Sequence, residues 1–230
     1  MNDEFDLKRL AEIGDPFADD ASAPIRPMDR RAPVGHSPTR PRMRALRWVA
    51  LAAALSFDAA WLVFHERRSD LASAAPAGLA LGIAIPLGVA VIALAAAVRS
   101  GPRGLGVPAG RIAALALGAP VLFAVATLVA APADGGDPLF WRHAVGCMTV
   151  TAFLALGPMA LGLWAFRHAF AAAAGWRTAA IGLAAGALSA ATMSLACPIT
   201  TAAHVIVGHG LVMVVGALVG ALLAPALARS

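Results

Sequence analysis

Residues 141–168 read WRHAVGCMTVTAFLALGPMALGLWAFRH, an apolar run bracketed by Arg142 and His143 on one side and by Arg167 and His168 on the other. Between the brackets lie some twenty uncharged residues, the length an α-helix needs to cross a hydrocarbon core of roughly 30 Å. The same pattern recurs on both sides of it. Six apolar runs follow one another: Ala45–Phe64, Ala75–Val98, Arg111–Ala131, His143–Phe166, Thr178–Ala196 and Ala203–Leu227. Composition agrees, with 60% of the 230 residues hydrophobic and only 13% charged, against about 25% charged in soluble domains. More than half of those charges lie at or before Arg47. The expectation is an all-α, polytopic membrane protein with six transmembrane helices over residues 45–230. A disordered cytoplasmic N-terminal tail precedes them over residues 1–44.

The breaks between the runs give an orientation. Arg40, Arg42, Arg44 and Arg47 precede the first run, Arg99, Arg103 and Arg111 separate the second from the third, and Arg167 and Arg177 separate the fourth from the fifth. The alternate breaks hold Glu66, Arg67, Arg68 and Asp70, which cancel, then Asp134 and Asp137 against Arg142, and lastly the uncharged CPITTAA at 197–203. Short basic loops stay in the cytoplasm, so both termini are expected there, in a bacterial inner membrane. The arginines sit at the ends of spans and form no patch. Despite the net charge of +5, direct nucleic-acid binding is not expected, and the partner of the apolar surface is the lipid bilayer. More than forty mixed-charge residues precede the first run, unlike a secretory signal, so that run is expected to remain as an anchor.

The tail divides in two. MNDEFDLKRLAEI, residues 1–13, can form a short helix capped by Asn2 or Asp3, with Phe5, Leu10 and Ile13 as apolar contacts. So short a helix is marginal alone in water and needs a partner. It reads either as a frayed end or as a docking peptide for a cytosolic protein. From Gly14 to Arg44, with Pro16, Pro24, Pro27, Pro33, Pro38 and Pro41, the chain reads as an extended or disordered linker.

The chemistry-bearing residues gather in the last third. Both cysteines are there, Cys147 near the outer end of the fourth run and Cys197 at the outer end of the fifth, where Pro198 stops the helix. On the expected topology both thiols face the same, non-cytoplasmic side, which in a bacterium is oxidising. They read as packing residues, as a static disulfide, or as a pair responsive to oxidant or metal. His143 lies four residues before Cys147 and shares its helix face, while His204 opens the sixth run and His209 lies deeper between Gly208 and Gly210. Cys147, Cys197, His143 and His204 can surround a soft or borderline metal ion. Without a CxxC or HExxH motif, neither a resident metal nor a cofactor is expected, and passing capture of a thiol-seeking metal is the more plausible form. Asp58, in LAAALSFDAAWLVF, places a carboxylate inside the first run. It either reaches water or faces the bundle interior, as costly intramembrane charges usually do. Gly78/Gly82, Gly182/Gly186 and Gly216/Gly220 repeat at four-residue spacing and are read as helix-packing contacts.

Several motifs occur together. Cys147 opens a span that continues through Pro158 and Leu163-Trp164 to a basic break at Arg167. The run AIGLAAGALSAATMSLACP closes on Cys197-Pro198, His209 precedes Gly216 and Gly220, and RMRALRWVAL supplies a basic lead-in at 42–51. Over roughly residues 42–228 this resembles the NrsF-type anti-sigma factors, six-span bacterial inner-membrane proteins that hold an extracytoplasmic-function sigma factor inactive. The resemblance implies that the N-terminal segment contacts the sigma factor. It also implies that Cys147 and Cys197 sense oxidants or thiol-reactive metals, with His143, His204, His209 and Asp58 as supporting residues. An anti-sigma factor, not an enzyme, is therefore the expected function. The alternative is a small proton- or ion-coupled transporter using Asp58 and the histidines. A thiol–quinone oxidoreductase is disfavoured by the lack of CxxC pairs.

Overall fold

The computed structural model describes residues 40–64, 76–98, 108–130, 139–166 and 174–228. Phe5, Leu10, Ile13, the Pro-rich linker as far as residue 39 and most of the polar breaks lie outside them; residues 40–44, expected to be the end of a disordered tail, are helical. Every described element is helical. In chain order these are α1 (Arg40–Phe64), α2 (Pro76–Val98), α3 (Ala109–Ala130), α4 (Phe140–Phe166), α5 (Ala174–Ala196) and a one-turn α6 (Ala202–Val205). A π-helical turn (Ile206–Gly210) then leads into α7 (Leu211–Ala228). The protein is thus an all-α, multi-pass membrane protein. Five segments are long and apolar enough to span: Ala77–Ala97, Gly110–Ala130, Phe140–Phe166, Gly175–Ala196 and Ala202–Ala226. The sixth, α1, is a long helix, but only its Trp48–Phe64 part is apolar. Its first turns are the arginine-rich lead-in, with Pro41 in the first turn, where the missing N–H costs nothing.

α5 is the centre of the bundle. It packs against α1, α2, α3, α4, the π turn and α7, and 83% of its apolar window is buried, against 17% for α3. It is also the least hydrophobic of the five spans. In lipid this is no contradiction, because apolar tails reward a buried side chain little and close packing rewards a small one. α5 is accordingly built from Ala, Gly, Ser and Thr. Its closest partner is α7. Gly182 faces the Gly216 backbone, and a Cβ at Gly186 would stand 2.6 Å from the Val212 carbonyl oxygen. Two of the three glycine pairs read from the sequence as packing contacts therefore meet each other within one chain. Several hydroxyls in the spans are satisfied locally: Thr127 donates to the Phe123 carbonyl at 2.7 Å, Thr192 to Leu188 at 3.1 Å and Ser194 to Ala190 at 3.0 Å.

Apolar clusters stack along the bundle. At one end Ala50, Ala97, Ile112, Leu163 and Ala180 pack together, and the middle is filled around Phe123, Leu183 and Met213. At the other end Met193, Ala196 and Cys197 meet Trp61, Leu62, Cys147 and Ile199. That last cluster joins the C-terminal ends of α1 and α5 to the N-terminal part of α4.

Candidate functional site

The thiol end is built by a helix stop followed by a restart. The Cys197 N–H still donates to the Met193 carbonyl at 2.8 Å, so Cys197 completes the last turn of α5. Pro198 has no N–H to continue the ladder. The chain turns through Thr201, extended at φ −65° and ψ 142°, and α6 begins at Ala202. Within two turns the helix widens into the π turn Ile206–Gly210. Such a turn inserts one residue and is characteristic of functional sites.

That widening sets the histidines. Residues five apart on a regular α-helix stand about 140° apart around the axis, whereas the rings of His204 and His209 lie edge to face, with centroids 5.7 Å apart. Both are buried. The Cys147 and Cys197 sulfurs are 3.5 Å apart and not bonded, and the Cys197 Sγ is 3.4 Å from His204 Nε2. One ligand atom from each of Cys147, Cys197, His204 and His209 lies within 4.8 Å of the other three. Both ring nitrogens of His209, and Nδ1 of His204, are buried without a hydrogen-bond partner among the described residues.

The geometry revises the grouping taken from the sequence. His143 is half-buried one turn before Cys147 but stands outside the four-residue cluster, and His209 takes that place. His143 instead lines a cleft of about 350 Å³ that opens over the thiols, with Arg142, Pro198 and Ile199 among its walls. Asp58 is not part of the cluster either. It faces the bundle interior, 3% exposed, and neither carboxylate oxygen has a hydrogen-bond partner among the described residues.

Sequence reading missed three contributors, Thr151, Trp61 and Leu62. The Thr151 hydroxyl reaches the Cys147 carbonyl at 2.6 Å and the Gly208 carbonyl at 3.2 Å, tying α4 to the π turn. Trp61 and Leu62, three and four residues beyond Asp58, bring α1 onto the thiol cluster. Thr151 lies four residues after Cys147, on its face, which was the available signal; nothing local marks Trp61.

Chemically, the cluster is a pair of soft nucleophiles beside two bases. A disulfide needs the sulfurs to approach by about 1.5 Å. Cys197 lies beyond the end of the α5 span. The Cys147 thiol beside it holds it below the ordinary thiol range, aided by His204 and His209 and opposed by burial.

The family model described as "NrsF: Negative regulator of sigma F" matches residues 32–229. No curated protein and no solved structure matches the chain.

Proposed function

The chain belongs to the NrsF family of negative regulators of sigma F, and from that premise we propose that it is a membrane-bound anti-sigma factor of a stress response. In this reading it sits in the bacterial inner membrane with both termini in the cytoplasm. It holds an extracytoplasmic-function sigma factor through the N-terminal segment that carries Phe5, Leu10 and Ile13. Oxidant, or a thiol-reactive metal, acts on Cys147 and Cys197 from the periplasmic side and lowers the affinity for the sigma factor.

The observation that carries the reading is the 3.5 Å separation of two unbonded sulfurs at the mouth of a cleft. They belong to separate helices and are fifty positions apart in sequence. Closing them into a disulfide draws the two sulfurs together by about 1.5 Å and so pulls α4 toward the end of α5, and a bridging metal ties the same two helices together. α1 packs on both of these helices and touches the thiol cluster through Trp61 and Leu62. The N-terminal segment joins that same helix at its opposite end, so α1 supplies a direct route from receiver to tail. A signal acts only through a difference in affinity between two states, and a displaced α1 provides the second state.

The test is a sigma-dependent reporter with Cys147→Ser and Cys197→Ser, together with capture of the sigma factor on residues 1–44. Loss of the oxidant and metal responses in both mutants is expected. A normal response in both would sink the sensor reading, and no capture would sink the docking assignment. The transporter alternative needs Asp58 and the histidines in one relay; it is disfavoured because His204 and His209 gather around the thiols, in a cluster that excludes Asp58.

A further inference from the structure

We propose that Cys147, Cys197, His204 and His209 form a tetrahedral site for one divalent cation of the zinc and cadmium class. The proposal rests on the reading of the thiols as receiver, and it deepens that reading by adding both histidines as ligands and by choosing the ion.

Distance is the first argument. Zinc bonds of about 2.3 Å to sulfur and about 2.0–2.1 Å to nitrogen, at tetrahedral angles, put ligand atoms ~3.8 Å (S to S) and ~3.6 Å (S to N) apart. The observed separations are 3.5 Å between the sulfurs and 3.4 Å from Cys197 Sγ to His204 Nε2. These two separations are within a few tenths of an ångström of coordination spacing, and all four ligand atoms lie within 4.8 Å of one another; the sulfurs are much further from a disulfide.

The second argument is unmet valence. His209 is 1% exposed, and neither of its nitrogens has a partner among the described residues. Buried polar groups are seldom left that way, and an unoccupied partner such as an ion is a standard explanation. The π turn that carries His209 inward gives up regular helix geometry to do so. Gly208 supports the arrangement, because a Cβ there would stand 3.2 Å from Cys147 Cβ and 3.5 Å from His204 Nε2.

Charge selects the ion. Two thiolates and a divalent cation sum to zero, which suits a site among apolar helices, where net charge is expensive. A monovalent soft cation would leave one negative charge. Thiolate and imidazole donors also exclude magnesium and calcium, which take oxygen ligands. The cleft over Cys147 and Cys197 gives the ion a path in.

The loaded site and the disulfide are then mutually exclusive states of the same two sulfurs. On oxidation of the loaded site by a peroxide, the two thiolates give up two electrons. With hydrogen peroxide the S–S bond forms as the O–O bond breaks into two hydroxide ions, and the divalent cation leaves with a charge that balances them.

The experiment uses the full chain, reduced, in lipid nanodiscs, with Co²⁺ as the spectroscopic probe and Zn²⁺ as competitor. Expected is one equivalent of Co²⁺ with the intense visible bands of a tetrahedral thiolate site, bleached by Zn²⁺. His204→Ala and His209→Ala should each weaken binding by at least ~10-fold and change the bands. Weak octahedral bands, or tetrahedral bands unaltered by both histidine variants, would overturn the four-ligand site. If a histidine variant loses its helical signal, the number and energies of the bands in the unmodified chain decide between S₂N₂ and other donor sets. The sensor reading fails separately: a chain that binds Co²⁺ as described but keeps its sigma factor under oxidant supports the site and refutes the receiver.

Discussion

The seam between α5 and α7 and the junction between α5 and α6 lie on the same two spans and are built by opposite means. In the seam, Gly182, Gly186, Gly216 and Gly220 strip side chains away until backbone meets backbone. At the junction, a proline stop, a restart and a π turn bring in Cys197, His204 and His209, with buried nitrogens left unpartnered. The seam has regular helices and no chemistry; the junction has irregular backbone and nearly all of the chemistry.

The largest effect expected on this contrast comes from the seam. Gly182→Val drives a branched side chain into the Gly216 backbone, and a loss of at least about 3 kcal/mol is expected, read as a fall in thermal unfolding temperature and in membrane yield. Tolerance of that change would show that the seam is not close-packed. At the junction the effect should fall on signalling and leave folding intact. Cys147→Ser or Cys197→Ser is expected to bring the oxidant induction ratio of a sigma-dependent reporter to about one, because the two states no longer differ. Unfolding temperature should move little.

Two smaller effects separate bracing from sensing. Thr151→Val removes the hydroxyl that reaches both the Cys147 and Gly208 carbonyls. A loss of about 1–2 kcal/mol is expected, measured by unfolding in detergent; no loss would mean that α4 and the π turn are joined by packing alone. Asp58→Asn removes an unpartnered acid from the α1 interface. It is expected to raise stability by up to about 1 kcal/mol, and a marked fall would reveal a partner for the carboxylate. The smallest effect concerns reactivity. Because the Cys147 thiol holds Cys197 below the usual thiol range, thiolate persists to lower pH than the ordinary value of about 8.5 allows. Cys147→Ala should move the pH profile of Cys197 alkylation upward, and an unchanged profile would assign the shift to the histidines.

Much of the fold was legible because spanning lipid imposes a length and a polarity on each helix that composition records directly. The fourth run illustrates it: the expected His143–Phe166 became Phe140–Phe166. The first run illustrates the limit. Arginines and Asp58 dilute its hydropathy, and α1 begins at Arg40, five residues ahead of the expected span. The pairing of the thiols at one end was also legible, since alternate direction of successive spans puts the start of α4 beside the end of α5. Membership of His209 was not, because regular helix geometry turns it away from His204, and only the π turn brings it back.

By itself the sequence determined that the chain is a helical membrane protein, that both thiols sit at one end of the bundle, and that glycines mark its tight contacts. It could do so because these follow from local rules of length, charge and residue size. Tertiary structure alone decided that α5 is the centre, that α1 touches the thiol cluster, and that His209 replaces His143 beside the sulfurs. Each of these depends on which helix faces are turned toward one another. In lipid that choice is made by close packing of the whole bundle, and no single helix carries it in its hydrophobic pattern.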